Sequence, residues 1–146
     1  MKFTLIACLC SFTIALTTPS LRAGGNDSVF LLPFFQGNGE AGVYLAYSSD
    51  GLAFALLNQG KVVLPAPAPA WPGENLTQDP SIVYHDKMFH MVWTTSWSSR
   101  SVGYARSRDL LHWESVRKVV VWQEGVAVRN TWAPPSGTGT RREKRS

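Results

Sequence analysis

Cysteine is almost missing from this chain: Cys8 and Cys10 are the two in 146 residues. No thiol follows residue 10, which excludes a disulfide scaffold, a dithiol redox pair and a cysteine-ligated zinc site from the rest of the chain. Charge is sparse too, at 16% of residues, and the formal net charge of +4 comes from the two ends. Residues 24–140 carry eight basic against nine acidic side chains, so no basic face for nucleic acid is expected. Long apolar runs are also lacking. The longest, residues 3–16, falls short of the roughly 20 residues that a spanning helix needs. With Lys2 ahead of it and a polar stretch ending at Ala23, it has the layout of a signal peptide. A leader at 1–23 is therefore expected, with a secreted or periplasmic product and no membrane contact after cleavage. The L-I-A-C at 5–8 resembles a lipobox but comes too early in the apolar run for the lipoprotein reading to be preferred. No Gly-rich phosphate loop, Ser-His-Asp order or His-rich spacing is present, so neither cofactor nor metal is expected.

What remains is apolar and aromatic, 45% and 12% of residues, the balance of a globular chain. It also repeats. At an offset of 59 residues, VFLLPFF from Val29 falls on MFHMVWT from Met88, and VYLAYSSDGLAF from Val43 falls on VGYARSRDLLHW from Val102. The shared frame A-x-S-x-D-x-L-x-aromatic aligns Asp50 with Asp109 and Phe54 with Trp113. Each unit consists of short β-rich runs between turn residues, without sustained helical periodicity. The second unit predicts strands at 81–84, 88–95, 101–106 and 116–122, with a tight hairpin at His85-Asp86-Lys87. Four antiparallel strands in a repeat of this length describe a β-propeller blade. The first unit supplies strands two to four of an earlier blade, and 130–134 looks like the start of a third. Between the units, LPAPAPAWPG from Leu64 predicts an extended connection without ladder pairing, because proline lacks the N–H donor.

The segments FFQGNGEAGVYLAYSSDGLAF, NLTQDPSIV, FHMVWTTSW, VGYARSRDLLHW and RNTWAP, in this order, resemble the N-terminal part of secreted proteins related to glycoside hydrolase family 43, the arabinosidase and β-xylosidase-like five-bladed β-propellers. The resemblance covers nearly everything from Val29 to Pro134. It implies an all-β fold, a partial five-bladed propeller of about two blades over residues 24–135, and a carbohydrate substrate. The S-x-D-x-x-x-aromatic element also resembles the Asp box of sialidase propellers, but Leu52 and Leu111 stand where that motif has glycine.

Glycoside hydrolysis needs one carboxylate to activate water and one carboxylic acid to protonate the leaving oxygen. Asp79 precedes Pro80 at the start of a strand and matches the family's D-P-S motif, so it is the expected general base. Asp50 and Asp109 recur with the repeat and are expected to hold turns. Trp97 and Trp132 lie near strand ends and are the candidate sugar platforms. His90 alternates with Phe89 and Met91, faces either the pocket or a neighbouring blade, and is a further substrate-binding candidate. Trp93 and Trp113 align with Phe34 and Phe54 and read as packing aromatics.

The family's next carboxylate follows W-A-P directly, where this chain has Pro135. The basic tail at 136–146 has no strand pattern, and back-translating Ser136 to Arg145 with permitted codons and shifting the frame by one base can restore a glutamate after W-A-P. The expectation is therefore an out-of-frame tail on a fragment of a secreted glycoside hydrolase, inactive as it stands. The alternative is a non-catalytic carbohydrate-binding propeller module, for which Pro135 is no defect.

Overall fold

The computed structural model describes residues 29–67 and 69–132. The expected leader, the segment from Ala133 to Pro135 and the basic tail lie outside these residues. The fold is all-β, with two antiparallel four-stranded sheets. The first contains β1 (Phe30–Phe35), β2 (Gly42–Ser48), β3 (Ala55–Leu56) and β4 (Leu64–Pro65). The second is a plain meander of β5 (Gln78–His85), β6 (Met88–Thr94), β7 (Ser101–Ser107) and β8 (Trp113–Val120). Among the described residues, no helix is long and apolar enough to cross a membrane.

The repeat is physical and not only textual. All six cross-strand pairs of β1 with β2, from Phe30 opposite Ser48 to Phe35 opposite Val43, recur 59 residues later in β6 with β7, from Phe89 opposite Ser107 to Thr94 opposite Val102. Strand pairing with a period of two fixes which side chains share a face, so the two ladders display equivalent positions alike. The units differ at the outer strand. β3 and β4 both pair with β2, as two pieces of one outer strand interrupted by the 3-10 turn Leu57–Gly60. In β8 a shift of register at Ser115, which has φ 57°, takes the place of that turn.

Three expectations need correcting. β5 starts at Gln78 and not at 81, because Gln78 pairs with Thr94 across a bulge. Proline does not keep the connection out of the sheet: Pro65 lies opposite Gly42, and the ladder survives because Val63 and Ala66 donate to the Val43 and Ala41 carbonyls on either side of it. Such a position, on a two-residue edge strand, is where proline is tolerated. β8 begins at Trp113, three residues earlier than the apolar run at 116–122 suggests, because Arg106 opposite Glu114 extends the ladder towards the turn. The hairpin at His85 turns on Asp86 and Lys87, both at positive φ, as a two-residue connection between paired His85 and Met88 requires.

The core lies between the sheets. Val43, Leu45, Val63 and Leu64 of the first pack on Met91, Trp93 and Ala105 of the second, with Leu31, Ile82, Leu110 and Trp113 at the margin. Val43 and Leu45 stand on one face of their ladder, whereas Met91 and Trp93 correspond to Leu32 and Phe34, which stand on the other. The two units therefore meet through opposite faces of the same motif. Trp71, from the proline-rich connection, stacks on Trp93 with ring centroids 6.1 Å apart and planes within 7°.

Trp93 needs a neighbour without a side chain. It lies opposite Gly103, and a Cβ there would fall 1.9 Å from Trp93 Cε2. Gly103→Ala should therefore cost about 3 kcal/mol, the upper part of the usual range for overpacking, read as a lowered urea midpoint with unchanged slope. A loss below about 1 kcal/mol would show that the indole can move aside.

Candidate functional site

A cleft of about 320 Å³ opens at one end of the sheets, lined by Phe35, Gly37, Asn38, Gln78, Asp79, Trp97 and Trp132. Three of the four predicted site residues, Asp79, Trp97 and Trp132, thus meet in one place although they are spread over more than fifty residues of chain.

Asp79 reaches the cleft through a bulge. Gln78 pairs with Thr94 and Ser81 with Val92, so Asp79 and Pro80 together face Trp93 alone. The extra residue breaks the ladder and re-aims the local side chains. Asp79 adopts φ 46°, although a residue before proline is normally pushed to extended conformations. Aspartate is among the few residues that tolerate the left-handed region, at a cost of order 1–3 kcal/mol that the surrounding contacts must offset. The carboxylate remains exposed.

The contacts that hold this corner come from the β1–β2 loop. Thr77, fully buried, donates to the Gly39 carbonyl from both its amide, at 3.1 Å, and its Oγ1, at 2.8 Å. Gly39 has φ 85°, and a Cβ there would lie 3.0 Å from the Thr77 nitrogen, so only glycine lets the loop approach so closely. Asn38 then stands between Gln78 and Trp97: its Oδ1 accepts from Gln78 Nε2 at 2.7 Å and from Trp97 Nε1 at 3.1 Å. Trp97 and Trp132 remain 61% and 58% exposed, unusually open for indoles.

His90 does not belong to this cleft. It sits inside β6 between Val83 and Arg106, with Nδ1 2.8 Å from the Tyr104 hydroxyl and Nε2 3.3 Å from the His85 carbonyl. Trp97 follows the Thr94 end of that strand, whereas His90 is four residues back towards the opposite hairpin, about 13 Å along the strand. The strand alternation left its direction open, and the structure points it at Tyr104.

The repeated aspartates hold turns, as expected. Asp50 Oδ1 accepts from the amides of Leu52 and Ala53 at 2.8 and 3.0 Å and from Ser48 Oγ, while Ser48 Oγ accepts from the amides of Asp50 and Gly51. Asp109 and Ser107 reproduce the pattern bond for bond, with His112 Nδ1 added 2.7 Å from Asp109 Oδ2. A second depression, of about 260 Å³, lies at this turn beside Arg108, His112 and Glu114. Among the described residues, Asp79 is the one carboxylate lining the larger cleft. Among the described residues, no group of three or more His, Cys, Asp or Glu side chains is placed to hold a metal ion.

Sequence reasoning missed Phe35, Gly37, Asn38 and Gln78. One signal was available: glycines on both sides of Asn38 mark a loop apex, and the 59-residue offset lays Asn38 on Trp97. Comparison with models of known families, with curated proteins and with solved structures finds no match.

Hydrogen bonds from the Ala53 and Leu52 amides, and then from Ser48, lower the Asp50 carboxyl to about 2. The His112 amide and ring, and then the Leu111 amide, hold Asp109 well below the usual carboxylate range. Both groups titrate lower in the folded chain than in the unfolded one, near 3.9, so the stability they contribute is complete above that value and is lost as pH falls towards 2. Thermal midpoints measured from pH 6 to pH 2 should fall steeply below pH 4. In Asp50→Asn with Asp109→Asn the midpoint should start lower and fall less; parallel curves would remove these turns from the acid response.

Proposed function

We propose that the cleft is a carbohydrate-binding site of the glycoside hydrolase family 43 type, with Trp97 and Trp132 as sugar platforms and Asp79 as the water-activating carboxylate. The observation that carries this reading is the convergence of two largely exposed indoles and one exposed, backbone-strained aspartate on a single cleft. The apolar face of a sugar ring lies against an indole while its hydroxyls find polar partners, and the exposed Asp79 supplies such a partner at the wall. An exported location, behind the leader at 1–23, suits a polysaccharide substrate from outside the cell.

The architecture we propose is two adjoining blades of a five-bladed propeller. What supports it is the meeting of the two units through opposite faces, since each unit then offers its free face to a next one of the same kind. Leu32, on the free face of the first sheet, is 46% exposed, and β1 has no partner on its other edge among the described residues.

Among the described residues one carboxylate lines the cleft, and on this reading the chain as it stands binds sugar without cleaving it. General acid and general base assistance are each worth about 10² to 10⁴ in rate, and the acid must come from a second carboxyl group held across the scissile bond. The lone carboxylate is also what favours the second reading, a binding module that never hydrolyses. Titrating the purified chain with xylohexaose or arabinohexaose should quench tryptophan fluorescence, and Trp97→Ala and Trp132→Ala should each weaken binding about tenfold, or about 1.4 kcal/mol. Aryl arabinofuranosides and xylosides should not be turned over. Turnover that survives Asp79→Asn, or binding indifferent to both tryptophans, would overturn the assignment.

A further inference from the structure

Asn38 and Trp97 occupy the same place in the two repeats, 59 residues apart, and they are hydrogen-bonded to each other. The apex of the β1–β2 loop thus meets the apex of the β6–β7 loop across the boundary between the sheets, beside the start of β5. The orientation of the Asn38 amide is settled by its partner. An indole N–H only donates, so the Asn38 atom 3.1 Å from Trp97 Nε1 must be the carbonyl oxygen, and the same oxygen obliges Gln78 to present its amide nitrogen at 2.7 Å. The other side of Asn38 is held as well. Its backbone N–H donates to Glu40 Oε2 at 3.1 Å. The Glu40 backbone amide and then the Asn38 side-chain amide also bond that carboxylate and hold it below the usual carboxylate range.

From this arrangement we infer that Asn38 is a positioning residue for sugar binding: it fixes the plane of the Trp97 indole through the N–H and so keeps one wall of the cleft preformed. The inference rests on the carbohydrate reading of the cleft. Trp97 is largely exposed, and the bond from Nε1 to Asn38 is the directional contact that orients it. An exposed indole without that bond would sample several rotamers, and a ligand would have to order it on binding. Gln78, buried at the first residue of β5, ties Asn38 to the strand that carries Asp79, so the platform and the carboxylate share one anchor.

The test uses the full chain and two readouts. The first is the Trp97 indole N–H resonance in a nitrogen-15 correlation spectrum, assigned by its disappearance in Trp97→Phe; the second is affinity for xylohexaose. Asn38→Ala should shift that resonance upfield, speed its exchange with solvent and weaken affinity about fivefold to tenfold. Trp97→Phe, which keeps a ring but loses the N–H, should weaken affinity to a similar degree. The double variant should be no worse than either single one, because both remove the same bond. Asn38→Asp combined with Glu40→Gln restores an acceptor for Trp97 and Gln78 with a donor at position 40, and should recover the resonance and most of the affinity. An unmoved indole resonance in Asn38→Ala overturns the inference whatever the ligand does. A resonance that moves while affinity stays unchanged, in a chain whose binding still fails in Trp97→Ala, overturns the positioning role and leaves the sugar reading intact. If the unmodified chain binds neither xylohexaose nor arabinohexaose, the sugar reading fails, and the role inferred from it fails too.

Discussion

The indole of Trp93 lies at the seam between the two sheets, and the space it takes determines much of its surroundings. Gly103 opposite it has no side chain because none would fit, and Trp71 from the connecting segment lies flat against it. Its own N–H has no hydrogen-bond partner among the described residues. Leaving such a donor unpaired costs about 1–3 kcal/mol, while burying an indole removes about 150–250 Å² from water and is worth roughly 4–6 kcal/mol. The apolar term wins, so a strictly apolar seam is stable despite the unpaired N–H. The seam in turn brings the β1–β2 loop against the start of β5, and the cleft forms there.

Much of this fold was legible because its signals are local. Alternation marked β6 and β7 to within a residue or so, the paired S-x-D frames marked the turns, and the 59-residue offset anticipated a register that the strands keep pair for pair. The outer strands were harder to read. β8 is exposed along most of its length, so burial imposes no clear pattern, and the interrupted outer strand of the first unit has no periodicity to find. Proline at 65 argued against pairing, yet an edge position needs only the donors on either side of it.

The site was legible where chemistry is carried by unusual residue types in telling places. Asp before proline and tryptophans near strand ends stand out in a sequence, and the structure gathers them. His90 stood out equally and is elsewhere, because alternation gives two faces and does not say which one meets a neighbour. Asn38 was invisible by type. Its importance comes from three partners, Glu40, Gln78 and Trp97, of which two are separated from it by 40 and 59 residues, and contacts of that span are made by tertiary packing alone.

The unequal outer strands of the two units show where this architecture accepts changes in chain length. One residue added or removed within β2 or β7 would turn every following side chain to the wrong face and strip the seam of Leu45 or Ala105. At the outer strand the first unit interposes Leu57–Gly60, with no residue there fully buried, where the second makes do with a bulge at Ser115, and the ladders within are identical. Among the described residues no further strand takes its register from that edge, so a length change there stays local. Leu57 packs against the core at the seam, so the place to splice in a tag, a loop or a reporter is beyond it, between the exposed Asn58 and Gln59.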